Sequence, residues 1–116
     1  IFSRVQVEND TRPCLVLTTW PADQPAEAFV RGMVEARLAA CVHVSGAGDS
    51  TYRWEGAVET AVERQLLIKT TRGRLAALAA YVRGAHPYAV PEWLELDVAG
   101  SSAYAAWITA SVETAG

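Results

Sequence analysis

Tyr52-Arg53-Trp54-Glu55-Gly56, followed by Ala57–Thr70 (AVETAVERQLLIKT), is the stretch on which the fold of this chain turns. Thr51, Tyr52 and Trp54 favour strand, Glu55-Gly56 supplies a turn, and the second arm contains neither glycine nor proline. A strand of ~14 residues at roughly 3.3 Å each is about 46 Å long. A compact chain of 116 residues has a radius of gyration near ~13 Å and a diameter of about 35 Å. The strand exceeds its own globule, so part of the ribbon should protrude. A protruding ribbon with unpaired edges seeks a partner strand, which predicts obligate self-association.

The rest of the chain places that ribbon in an α+β pattern. Cys14–Thr19 is a short apolar run of the kind that forms a buried central strand. Ala26, Phe29, Val30, Met33, Val34 and Leu38 keep helical spacing, with Glu27 and Arg31 paired on the outer face. Cys41–Val44 opens the second strand, and Gly46-Ala47-Gly48 interrupts it as a bulge or bend. A second helix starts near Gly73, carries Leu75, Leu78, Ala79 and Val82, and ends at Gly84 before Pro87. Residues 92–98 (EWLELDV) read as a fourth strand, and Ser101-Ser102 caps a last helix with Tyr104, Trp107, Ile108 and Val112. The order β-α-β-β-α-β plus a C-terminal helix predicts a ferredoxin-like sandwich, with the first and third strands central and both main helices on one face. Residues 1–12 read as a flexible polar tail and 13–116 as one domain.

Composition narrows the function classes. Hydrophobic residues at 51% and charged residues at 20% suit a globular domain, and a net charge of −3 argues against nucleic acid as a partner. No apolar run approaches the ~20 residues of a membrane span, and the N-terminal stretch lacks a signal-peptide pattern, so the expected location is cytoplasmic. There Cys14 and Cys41 should be reduced thiols.

Three places could carry chemistry. Cys41 and His43 share one face of a strand, a sulfur–imidazole pair suited to copper or zinc. Two ligands fall short of a metal site, and a buried thiol beside a surface histidine is the plainer alternative. His86 lies in His86-Pro87-Tyr88-Ala89-Val90-Pro91-Glu92, where two prolines stiffen a loop that is either a binding rim or a cap for the preceding helix. Lys69-Thr70-Thr71-Arg72 places two cations at a strand-to-helix loop, where a phosphate or carboxylate could dock. The carboxylates Glu55, Glu59 and Glu63 read as a solvated face of the ribbon, and the four tryptophans as core and interface anchors. No nucleophile or acid–base pair has both the chemistry and the spacing of an enzyme.

Taken together, Leu38-Ala39-Ala40-Cys41-Val42, Tyr52-Arg53-Trp54-Glu55-Gly56, Ile68-Lys69-Thr70-Thr71 and the His86–Glu92 loop resemble the CutA1 divalent-cation tolerance family, over about Cys14 to Val112. The resemblance implies a ferredoxin-like subunit in a homotrimer joined through the long ribbons, tolerance of divalent metals (copper above all), and no enzymatic activity. It offers Cys41 and His86 as metal contacts, with His43 as an added ligand, and no required cofactor beyond a possible Cu2+ or Zn2+. Tyr52, Trp54, Lys69, Tyr88 and Glu92 are implied to line or brace a cleft between subunits. The chain departs from the family pattern at His43, Trp20 and Ala89, where relatives tend to carry smaller or more polar residues. Two other functions fit the same frame: a PII-like regulatory trimer holding a small anion or nucleotide in the cleft, and a scaffold that recruits another protein.

Overall fold

A computed structural model describes residues 8–114. Strand β1 spans Pro13–Pro21, helix α1 Glu27–Glu35, β2 Cys41–Trp54, β3 Ala57–Thr71, helix α2 Leu75–Ala85, β4 Leu94–Asp97 and helix α3 Ser102–Val112. The four strands form one antiparallel sheet in the order β2-β3-β1-β4, with β1 and β3 central as the sequence predicts. Among the described residues no helix is long and apolar enough to cross a membrane.

Residue alternation decides which face is dry. Cys14, Val16, Trp20, Leu66 and Ile68 pack against Phe29 and Met33 of α1 and Leu78 and Val82 of α2. Val16 stands opposite Ile68, and Ile68 opposite Val42, so three strands feed the same core row. The other face is covered only at one end. There Lys69 Nζ donates to the Tyr104 hydroxyl of α3 (3.2 Å), and Ile108 and Val112 pack with Ala40. Leu94, Leu17 and Leu67 are successive partners across β4, β1 and β3, and this row continues to His43 on β2. Leu94 is 53% exposed, and Leu96 beside it 43%.

The ribbon has the length that the sequence predicts. β2 and β3 run 14 and 15 residues, and the molecule measures 46 × 31 × 25 Å with a radius of gyration of 15.2 Å, above the ~13 Å of a compact chain. Trp54 pairs with Ala57, leaving Glu55 (φ 49°) and Gly56 (φ 81°) as a two-residue turn with both φ positive, the geometry that matches strand twist. The interruption at Gly46 is a β-bulge between Val44 and Ala47. Ser45 fills the gap in the ladder: its Oγ accepts the Gln65 N–H (2.7 Å) and its carbonyl accepts from Arg64 Nη1 (3.1 Å).

Several boundaries differ from expectation, each for a local reason. α1 stops at Glu35 instead of continuing to Leu38, because Arg37 (φ 58°) turns the chain left-handed. The Arg37 and Leu38 N–H groups bond back to the Val34 (3.0 Å) and Met33 (2.9 Å) carbonyls, and buried Leu38 closes this Schellman motif. The Glu27–Arg31 pair is replaced by Arg31–Glu35 at 3.2 Å. A 3₁₀ turn, Arg72–Arg74, precedes α2, which passes through Gly84 and stops where His86 turns extended (ψ 135°) ahead of Pro87. β4 is shorter than residues 92–98, since the Glu92 carbonyl accepts from the Thr18 side chain (Oγ1, 2.6 Å) rather than from a backbone N–H of β1. Ser101 caps α3 as expected, its Oγ accepting the Tyr104 N–H at 3.3 Å. Of the expected tail, residues 1–7 lie outside the described residues. Its remainder is bonded to the sheet–helix junction, with the Arg72 and Gly73 N–H groups donating to the Arg12 (2.9 Å) and Asp10 (2.8 Å) carbonyls.

Candidate functional site: a pocket between ribbon and loop

The rigid loop after α2 folds against the base of the ribbon and encloses a pocket of about 630 Å³. Tyr52, Trp54 and Glu59 line it from the ribbon, Thr19 and Glu63 from its floor, and Tyr88 to Glu92 from the loop. The register explains the ribbon wall, since Tyr52 stands opposite Glu59 and Trp54 opposite Ala57. Tyr52 (40%) and Trp54 (46%) remain well exposed.

Neutral donors hold the carboxylates in place. Tyr88 donates its hydroxyl to Glu63 Oε2 (2.9 Å), and Thr19 Oγ1 donates to the same oxygen (3.2 Å). Gln65 Nε2 bridges Glu92 Oε2 (3.0 Å) and the Thr18 carbonyl (2.9 Å). Burial, followed by the hydrogen bond to Glu63 and its negative charge, pushes the Tyr88 phenol up to about 12. The raised value means that folding favours the neutral phenol. That contribution is complete below the ordinary tyrosine value near 10 and is lost as pH rises towards 12. In spectrophotometric titration the Tyr88 component, isolated by difference from Tyr88→Phe, should ionise later than a free tyrosine. Glu63→Gln should lower its midpoint only in part, since burial is the larger cause, and a full return to the ordinary tyrosine value in that variant would contradict that order of causes.

His86 organises the loop without entering the pocket. It is 8% exposed, its Nδ1 accepts the Tyr88 N–H (3.1 Å), and its Nε2–H donates to the Thr19 carbonyl (2.7 Å). Its ring meets Trp20 edge-on, with centroids 5.2 Å apart, and lies 4.9 Å from that of Tyr88. The helix end is served by the His86 backbone, whose N–H bonds the Val82 carbonyl (2.8 Å), and not by the side chain. Both ring nitrogens are occupied within the chain, which leaves no lone pair for a metal.

Cys41 and His43 stand elsewhere, on the face of β2 that continues the leucine row. Cys41 is half-buried and His43 exposed. His86, on the helix-covered side, is not brought to them, and among the described residues no three of His, Cys, Asp and Glu gather as a metal site. One chain therefore offers two donors together, fewer than a full coordination sphere needs.

Of the five expected cleft residues, Tyr52, Trp54, Tyr88 and Glu92 share the pocket, and Lys69 does not. Lys69 lies under α3, where its bond to Tyr104 raises its affinity for a proton. Arg72 is engaged by Asp97 (Nε to Oδ1, 2.6 Å) and Glu95 (3.2 Å), and the N–H groups at the start of the following turn are taken by the N-terminal segment. The expected anion site at Lys69–Arg72 is thus already filled by the chain itself. Glu59 and Glu63, expected on a solvated face of the ribbon, line the pocket instead. Their position on the same strand face as Gln65 was the available signal, but only the loop's packing turns a solvated edge into a wall.

Residues 14–111 match the family described as CutA1 divalent ion tolerance protein. The chain is 42% identical over 91 residues to the Protein CutA homolog of Xenopus laevis, a match covering 78% of this chain and 60% of that relative's length. It is 39% identical over 99 residues to the Divalent-cation tolerance protein CutA of Pectobacterium atrosepticum, covering 84% and 90% of the two chains. The crystal structure of CutA from Xylella fastidiosa superposes with a TM-score of 0.83 at 39% identity, covering 88% of this chain and 99% of that one. The chain belongs to the CutA1 divalent ion tolerance protein family.

Proposed function

We propose that this chain is the ferredoxin-like subunit of a cytoplasmic homotrimer that supports divalent-cation tolerance by binding metal weakly, without enzymatic chemistry. The observation that carries the reading is the partly covered leucine row, exposed at Leu94 and half-buried at Leu17 and Leu67, beside a ribbon whose residues 51–60 are all exposed. An apolar sheet face next to a long free edge is a surface that neighbouring copies would cover. Relatives named for divalent-cation tolerance support the metal role, and two free thiols suit a reducing compartment.

Metal contact falls on Cys41 and His43, which flank the leucine row. His86 is withdrawn from the proposed ligand set, because both its nitrogens are already bonded. A copper or zinc ion held by two donors of one chain would complete its sphere from solvent or from a neighbouring copy. Light scattering at micromolar concentration should return three times the 12.5 kDa chain mass; a monomer would sink the assembly. Calorimetric titration of the reduced protein with Cu2+ should show weak binding that Cys41→Ala and His43→Ala each diminish and His86→Ala does not abolish. Wild-type affinity in both of the first two variants would remove the metal assignment.

A further inference from the structure

Cys41 and His43 end two successive rows on one face of the sheet, Leu96-Leu15-Lys69-Cys41 and Leu94-Leu17-Leu67-His43. Neither row contains a carboxylate. Apart from the two donors, the one polar side chain in them is Lys69, the direct cross-strand partner of Cys41. α3 holds Lys69 in place, through the bond from Nζ to the Tyr104 hydroxyl (3.2 Å) and the ring beneath it, 5.4 Å from Nζ to the centroid.

These neighbours decide what charge and what coordination number the pair can accept. A divalent ion needs further donors, three or four protein ligands for zinc, and hard divalent ions need oxygens as well. The rows supply no oxygen side chain. The Lys69 ammonium, at cross-strand distance, repels a divalent ion twice as strongly as a monovalent one. A cuprous ion accepts thiolate and imidazole as a complete two-coordinate set, and the thiolate cancels its single charge. Two residues apart on a strand, the donor side chains start about 6.6 Å from each other, near enough to close on one ion from opposite sides. Cover by a neighbouring copy would leave Lys69 opposite Cys41 and make uncompensated charge costlier still.

Resting on the metal reading above, we propose that Cys41 and His43 bind Cu+ in preference to a divalent ion, and that Lys69 sets this preference. The thiol proton passes to solvent as the sulfur–copper bond forms, and no electron is transferred. The reducing compartment that suits the free thiols is also one in which copper is cuprous.

The test compares Cu+ and Zn2+ on the full reduced chain, each in oxygen-free competition with a chromophoric chelator. Cu+ should bind at least about a hundred-fold more tightly than Zn2+. Cys41→Ala and His43→Ala should each reduce Cu+ binding to background. Lys69→Met should strengthen Zn2+ about ten-fold more than Cu+. Lys69→Arg keeps the charge, and Tyr104→Phe removes only the partner hydroxyl, so both should retain the wild-type ratio. X-ray absorption at the copper edge should show one sulfur and one nitrogen. The proposal is overturned if Zn2+ binds as tightly as Cu+, if the copper carries a third ligand, or if a folded Lys69→Met protein keeps the wild-type ratio. In those cases the metal reading itself still stands. If neither ion binds, that reading falls together with the proposal.

Discussion

Ile68→Ala should lower the free energy of unfolding by about 4 kcal/mol, the upper part of the range for emptying a buried aliphatic site. Ile68 is fully buried, standing between Val16 and Val42 in the middle of the sheet. These neighbours sit on paired strands that cannot close over the missing atoms without breaking ladder hydrogen bonds. The cavity should therefore persist, and its cost adds to the lost transfer energy. Ile68→Val should cost only about 1 kcal/mol. Val34→Ala, on α1 and 42% exposed, should stay within about 0.5 kcal/mol. Thermal melts at one fixed protein concentration check the series, because assembly makes the midpoint depend on concentration. Equal losses at Ile68 and Val34 would mean that burial in the sheet does not set the cost.

His86→Ala should cost about 3 kcal/mol and should also disorganise the pocket. The substitution removes a buried ring packed against Trp20 and Phe29 and leaves the Thr19 carbonyl and the Tyr88 N–H without their partners. His86→Asn should recover part of the loss, since a short side-chain oxygen can accept from the Tyr88 N–H in the same local turn. The diagnostic readout is Tyr88. Once the loop is released, its phenol should titrate closer to an ordinary tyrosine, because the burial that raised it is gone. A folded His86→Ala protein with the wild-type Tyr88 titration would show that Pro87 and Pro91 alone hold the loop.

The regular parts of this fold were legible because period and punctuation agreed. The run through Thr70, the Glu55-Gly56 turn and the Gly46 interruption each had one physical reading, and each is where the sequence places it. Boundaries that depended on tertiary partners were less legible. Nothing in the residues around Arg37 announces a left-handed position, because glycine is the usual signal there. The metal reading of His86 illustrates the same limit: the family resemblance offered it as a ligand, but burial and two specific bonds make it a brace. Glu63 moved the other way, from an apparently solvated charge to the centre of a hydrogen-bonded wall. Lys69 and Tyr88 were grouped by the family resemblance, yet lie in different parts of the sheet assembly.

The bulge at Ser45-Gly46 puts the two halves of β2 out of phase. Before it, odd-numbered Cys41 and His43 stand opposite odd-numbered Lys69 and Leu67; beyond it, even-numbered Tyr52 stands opposite odd-numbered Glu59. The bulge absorbs the one residue by which the two halves are out of step, so the thiol, the imidazole and the two pocket aromatics keep a common surface. Loss of a single codon at Gly46 would leave each of them opposite its present partner in a regular ladder, because the turn fixes the outer half and β3 is unbroken. What it would remove is the added right-handed twist of the bulge, and with it the angle at which Tyr52 and Trp54 meet the loop of Tyr88. The pocket therefore depends on the local twist of the ribbon as well as on its composition.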